Sequence, residues 1–245
     1  MTRYFFEISY NGTQYYGWQQ QVGQVSIQEV LQKELKKIFQ QQEIEIVGCG
    51  RTDKGVHAKQ FFFHVDFTYE IETENLAYKL NKMLPDSISV ARIFSVKSDL
   101  HARFSAKKRT YRYFIHHQKD PFLSEISTYF QQKVDLSIMN EACRHLLGKQ
   151  DFSSFAKIHT DVKTHICTVY HAQWIEQENQ LIFEISADRF LRNMVRAIVG
   201  TMLDIGTKKI VPDNLPVIID EKNRSAASKS VSPNGLFLWK VEYDF

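Results

Sequence analysis

The sequence predicts an α+β protein of two ferredoxin-like, RRM-like βαββαβ subdomains, residues 1–105 and 106–245, whose antiparallel sheets flank a central cleft. Two periodicities predict it, apolar runs of period two that end at turn residues and runs of period 3.6 between them. The third observation is that the same succession of elements occurs in each half.

The first strand is read from Tyr4, Phe6, Ile8 and Tyr10, which alternate with Phe5, Glu7 and Ser9 before an Asn11-Gly12 turn. An aromatic and amide-rich loop follows. Ser26 and Glu29 then form a capping box, with Val25 and Val30 placed as a hydrophobic staple, and Ile27, Val30, Leu31, Leu35 and Ile38 line one helical face. A short strand at Ile44 and Ile46 and a longer one through Phe61, Phe63, Val65 and Phe67 come next. A second helix runs from about Thr73 until Pro85 ends it, and Ser87 to Val96 returns as a strand. In the second half, Thr110 to His117 reads as a strand and Leu136 to Leu147 as a helix. Cys167 to Ile175 and Leu181 to Ser186 make a strand pair. A helix from about Arg189 to Ile205 closes at Gly206, and Leu236 to Tyr243 is the last strand. Two insertions break the repeat, 148–164 and 207–235, and the second, rich in Pro and Ser, reads as a surface excursion.

With 43% hydrophobic and 13% aromatic residues, 245 residues are enough for a substantial core. Met1 leads straight into a strand and no stretch has the length of a membrane span, so a cytoplasmic protein without a membrane partner is expected. Three widely spaced cysteines, Cys49, Cys143 and Cys167, suggest reduced thiols, and Cys49, His57 and His64 match no usual zinc spacing. The net charge is only +3, so an anionic partner must be argued from where the cations cluster.

Three stretches carry chemistry. The loop Gly48 to Ala58 (GCGRTDKGVHA) sets Arg51, Asp53, Lys54 and His57 among three glycines, between two strands. Asp53-Lys54-Gly55 alone is ordinary turn chemistry. His101 to Tyr113 (HARFSAKKRTYRY) holds Arg103, Lys107, Lys108, Arg109 and Arg112 with interleaved aromatics and no acid. That combination suits RNA, since cations neutralise phosphates while aromatic faces stack on unpaired bases. In the helix expected after Asp188, Arg189, Arg192 and Arg196 fall on one stripe, opposite Leu191, Met194, Val195, Ile198 and Met202. Such a stripe meets phosphates or a carboxylate, and Asp53 is the carboxylate to test.

Taken together, these residues resemble the tRNA pseudouridine synthases of the TruA type throughout the chain. The match rests on Gly50 to Ala58 (GRTDKGVHA), Gly17 to Gln19 (GWQ), His101 to Ala106 (HARFSA), Tyr111 to Tyr113 (YRY), Phe190 to Arg196 (FLRNMVR) and Gly235 to Leu238 (GLFL), in family order. One departure is Gln150, where the family pattern has a histidine.

The resemblance implies isomerisation of uridine to pseudouridine at positions 38–40 of the tRNA anticodon stem-loop, by a homodimer, with no cofactor and no metal. It makes Asp53 the catalytic nucleophile or base, Arg196 its guanidinium partner, and Tyr111 the side chain that stacks on the flipped uracil and accepts the C5 proton. Leu236, or its neighbour Leu238, would floor the pocket. Arg51 would reach the flipped nucleotide's backbone or prop the loop, while Arg103, Lys108, Arg109, Arg189 and Arg192 would bind the phosphates. Two rival functions are compatible with the residues alone, an RNA-binding module without catalysis and a phosphate-transferring hydrolase. The second usually recruits Mg2+ through further acids, where this loop carries cations.

Overall fold

The computed structural model describes residues 1–40, 42–157 and 163–245. In chain order the elements are β1 (Thr2–Tyr10), α1 (Ile27–Phe39), β2 (Val47–Gly48), β3 (His57–Phe67), α2 (Thr73–Met83), β4 (Ile88–Val96), β5 (Lys108–His116), β6 (Thr128–Tyr129), α3 (Leu136–Cys143), β7 (Gly148–Asp151), β8 (Ile166–Gln177), β9 (Gln180–Ala187), α4 (Met194–Gly206), α5 (Asn214–Asp220) and β10 (Leu236–Glu242). The architecture is mixed, with mostly antiparallel strand pairs and few helices.

Two compact units result, one of Met1–Lys107 with Phe237–Phe245 and the other of Lys108–Leu236. The sequence repeat assigns the last strand to a second subdomain of residues 106–245. In the structure, β10 from Phe237 onward belongs to the first unit, where it runs parallel to β3 with Phe237 opposite His57 and Leu238 opposite Ala58.

In the first unit the strands lie in the order β4-β1-β3, antiparallel throughout, with β2 on β3. The capped start of α1 forms as the sequence indicates. Ser26 Oγ accepts from Glu29 N at 3.3 Å, and Ile27, Leu31 and Leu35 are buried. Val25, the expected outer half of the staple, is exposed. The short strand falls later than expected, because Val47 and Gly48, not Ile44 and Ile46, pair with His64 and Phe63. The two isoleucines are buried without strand pairing. Strand β3 is buried on both faces through Phe61, Phe62, Phe63, His64 and Val65. Alternation alone accounts for one face. The other is covered from the chain's end, where Tyr243 packs edge-on against Phe5 and Phe62 and Phe245 packs on Phe5.

The second unit runs β5-β9-β8-β7, all antiparallel. Helix α3 stops at Cys143 and tightens into a 3-10 turn, Arg144–Leu146, so the helix expected to Leu147 is shorter. Gln150, at the departure from the family pattern, donates its amide to the carbonyls of His145 within that turn and of Leu147 just after it. Residues 158–162 of the first insertion lie outside the described residues. The second insertion is not a surface excursion. It contains α5, whose Leu215, Ile218 and Ile219 are buried, and Asn223 N donates to Ser154 Oγ.

Candidate active site

In the first unit the segment from Cys49 to Val56 connects β2 to β3 and is held by its own main chain. Cys49 N donates to Phe62 O (2.7 Å), Trp18 N to Thr52 O (3.3 Å), Gly55 N to Tyr15 O (3.2 Å) and Val56 N to Asp53 O (3.1 Å). The last bond closes the turn expected for Asp53-Lys54-Gly55, with Gly55 at φ 75°. Gly17 is at φ +84°, and a Cβ there would run into Thr52 O. Only glycine fits that approach. Gly17 O and Trp18 O also accept the amides of Ile27 and Gln28 at the start of α1, so one loop fastens both the helix and the Asp53 turn.

Side chains complete this lattice at its buried end. Tyr10 Oη lies 2.9 Å from Thr52 Oγ1, and the Trp18 indole stacks on Phe61 at 4.1 Å. His57 is fully buried, accepts Gly12 N on Nδ1 at 3.1 Å and stacks on Phe237 at 4.4 Å. A ring nitrogen that accepts a main-chain amide carries no proton, so His57 here is a neutral spacer between two loops. Asp53 is half-buried on the turn. Arg51 is exposed and donates Nε to Gln19 Oε1 at 3.2 Å, and Lys54 lies over the Tyr16 ring at 4.0 Å.

In the second unit, β5 presents Arg109, Tyr111 and Tyr113 at alternate positions and hence on one face. Tyr111 is half-buried, opposite Ile185 in the register, and its ring meets Phe190 edge-on at 5.0 Å. Arg109 Nη1 donates to Asp188 O at 3.0 Å. Arg112 points the other way and pairs with Glu184, its cross-strand neighbour, at 2.6 Å. Lys108 is half-buried at the start of the strand, and Leu236 is buried at the start of β10.

The expected stripe of three arginines does not form. Helix α4 starts at Met194, after Asn193 at φ 68°, so only Arg196 of the three is helical. Arg189 lies ahead of the helix with its amide donating to Asp188 Oδ1 (2.7 Å), and exposed Arg192 accepts Lys157 N on its carbonyl. Leu191, Met194, Val195 and Ile198 are buried with or without a helical first turn, so the apolar pattern could not place the start.

Arg196 is fixed by a segment that the sequence did not mark. Its Nε donates to Val231 O at 2.8 Å, and Val231 N returns a bond to Arg196 O at 3.2 Å. The segment from Ser228 to Ser232 runs along α4 as a strap. Ser228 N bonds Thr201 Oγ1, Lys229 O lies where a Cβ on Gly200 would be, and Ser230 Oγ accepts Asn193 Nδ2 (2.6 Å) and Arg224 Nη2 (2.9 Å). Tyr113 Oη donates to Ser232 O at 2.8 Å and lies 2.6 Å from Thr128 Oγ1. Burial pushes the Tyr113 phenol above its usual range, more than its bond to Thr128 and the Arg196 charge pull it down. Tyr113 is therefore a neutral anchor, while Tyr111, one pleat away, is the more open of the two. A run of serines with a single valine gives no periodic apolar signal. The one available hint was that two of the family-like stretches flank it.

Among the described residues, no three His, Cys, Asp or Glu side chains are grouped to hold a metal ion, and no helix is long and apolar enough to cross a membrane. All three cysteines are buried thiols, and burial pushes those of Cys143 and Cys167 up to about 12, where they are unreactive.

A family model described as tRNA pseudouridine synthase matches residues 8–105 and 142–244. Proteins named tRNA pseudouridine synthase A resemble the chain over nearly its full length. The one from Bacteroides fragilis is 47% identical over 98% of this chain and 96% of its own. That from Bacteroides thetaiotaomicron is 46% identical over 99% and 91%, and that from Bacillus subtilis 39% identical over 97% of both. A solved Cbf5-Nop10-Gar1 complex overlaps only at a TM-score of 0.32 and 12% identity, over 70% of this chain and 39% of that one. The full-length likeness spans the Asp53 loop, the Tyr111 strand and the Arg196 helix alike, and the chain belongs to the tRNA pseudouridine synthase family, whose members are isomerases.

Proposed function

We propose that this enzyme converts uridine to pseudouridine at positions 38–40 in the anticodon stem-loop of tRNA, with Asp53 as nucleophile or base, Tyr111 stacked on the flipped uracil and Arg196 paired with Asp53. The N1–C1′ bond breaks, the uracil turns, C5 bonds to C1′, the C5 proton leaves and N1 is protonated, so the product is an isomer and needs no co-reactant. Taking the base out of the stem costs roughly a few kcal/mol, which the pocket must return by stacking. Leu236 floors that pocket and Arg51 meets the flipped nucleotide. Arg103, Lys108, Arg109, Arg189 and Arg192 take the phosphates. The same reading makes the enzyme a cytoplasmic homodimer that uses neither cofactor nor metal.

The observation that carries the proposal is the position of Asp53. It is the one carboxylate of its loop, set between Arg51 and Lys54 on a turn fixed by four main-chain hydrogen bonds. A side chain on such a turn is pre-aimed and loses little entropy when it reacts. A guanidinium partner offsets the cost of enclosing a carboxylate with a base.

Asp53→Asn tests it, because the amide keeps the shape and removes the charge and the nucleophile. Release of tritium from C5-labelled uridine in tRNA is expected to fall by at least three orders of magnitude, with tRNA binding retained. Wild-type release from the variant would overturn the assignment of Asp53 as the catalytic group.

A further inference from the structure

The segment from His101 to Ser105 is tied into a knot. His101 N donates to Ser105 Oγ and Ser105 N to His101 O, both at 2.9 Å. The His101 ring turns back into the knot, its Nδ1 accepting Arg103 N at 3.0 Å and Phe104 N at 3.3 Å. Underneath, the buried ring of His64 on β3 accepts Ala102 N (3.2 Å), Tyr243 Oη donates to Ala102 O (2.6 Å) and Arg3 holds Leu100 O (3.1 Å). Every main-chain group named is satisfied, yet the residue at the tip is an aromatic facing water. Phe104 is 77% exposed. Its ring leans on His101 at 4.4 Å, and the Arg103 guanidinium stands 5.7 Å from its centroid.

Burying an exposed phenylalanine gains free energy, so a side chain pinned outward forgoes that gain in the free protein. Its surroundings indicate what covers it. Along the chain, Arg103, Lys107, Lys108 and Arg109 follow one another without an acid between them, with Lys107 Nζ 3.4 Å from Asp244. Phe122, another strongly exposed phenylalanine at 88%, has Asp120 and Glu125 beside it, a poor setting for an anionic partner. A flat apolar ring in a cationic stretch fits a nucleobase with its phosphate.

We propose that Phe104 is a stacking platform for an unpaired base of the tRNA substrate, with Arg103 on the adjoining phosphate. This rests on the tRNA reading above but not on the role of Asp53. The knot makes the platform rigid, so stacking costs no loop ordering. The contact acts on binding and placement of the RNA, and no reacting atom is involved.

The test measures tRNA binding in the full-length chain and, to remove turnover, in the Asp53→Asn background. Phe104→Ala is expected to weaken binding roughly tenfold to hundredfold with the salt slope unchanged, because no charge is lost. Phe104→Trp is expected to restore affinity and Phe104→Leu to leave it weak, since leucine supplies apolar area without a π face. Arg103→Ala should lower the slope of log K against log salt by roughly 1. Affinity within twofold of wild type for Phe104→Ala, or full affinity for Phe104→Leu, overturns the proposal. So does dissociation of an oligomer by Phe104→Ala in sedimentation, which would make the ring a subunit contact. Thermal unfolding is expected to be unchanged in all four single variants. If Asp53→Asn still isomerises uridine while Phe104→Ala binds poorly, the catalytic assignment falls and the platform stands.

Discussion

The turn that carries Asp53 and the helix that carries Arg196 are fixed by different means. Around Asp53, main chain bonds to main chain across three loops, and Gly17 permits an approach that no side chain would survive. Around Arg196, side chains do most of the holding, with Asn193, Arg224, Tyr113 and Arg196 itself all bonded to the strap from Ser230 to Ser232. A loop fixed by its backbone leaves its side chains available for chemistry and tolerates their replacement. A helix fixed by side chains loses a little position with each one removed.

Gly17→Ala attacks the first mode and is expected to have the largest effect. The left-handed conformation costs an alanine about 1–2 kcal/mol, and the clash with Thr52 O adds about 1–3 kcal/mol of overpacking. A loss of about 3 kcal/mol or more is expected in urea unfolding, with activity falling in the fraction that stays folded because the Asp53 turn must move. A variant of wild-type stability would show that the loops are held otherwise.

The two modes can be compared directly with one side chain from each. Tyr113→Phe removes a buried hydroxyl and leaves Ser232 O without its donor, for an expected loss of about 1–2 kcal/mol. Lys54→Ala removes a cation from the face of Tyr16 and is expected to cost less than about 0.5 kcal/mol. Equal losses in chemical denaturation would erase the distinction.

The same contrast explains what could be read beforehand. Strands β1 and β3 and the cap of α1 are written in local spacing, and Ser26, three residues before Glu29, places the helix start correctly. The Asp53 turn is also local, since Asp and Gly dictate it. Non-local partners are not written there. That Gly17 must admit Thr52 O depends on a loop 35 positions on. The sequence places the start of α4 too early because Arg189 and Arg192 fit a helical stripe as well as Arg196 does, while a left-handed Asn193 held by Ser230 decides the boundary. The strap reads as surface because serines alternating with one lysine and one valine carry too little apolar signal, although its carbonyls reach Tyr113 and Arg196.

The remaining expected effect concerns pH, and it separates the knot at Phe104 from both modes, since this knot hangs on imidazoles. His64 is buried between Arg3, His101 and Asp66, and its ring must stay unprotonated to accept Ala102 N. Burial, together with the Arg3 and His101 charges, lowers its pKa to about 4 against the opposing pull of Asp66. Its folded pKa thus lies below the unfolded value near 6.5. The unfolded chain binds the proton more readily, so this stabilisation is complete above about pH 6.5 and is lost as pH falls toward 4. Allowing for solvent screening, about 1–2 kcal/mol is at stake. The Arg3 hydrogen bond holds the Asp66 carboxyl below its ordinary value, and burial lowers His101 in the same direction as His64. His64→Gln offers an amide oxygen to Ala102 N without the titration, so the variant is expected to lose less stability than wild type between pH 6.5 and 4.5. Parallel unfolding curves for the two proteins across that window would show that His64 is not the group through which acid loosens the Phe104 platform.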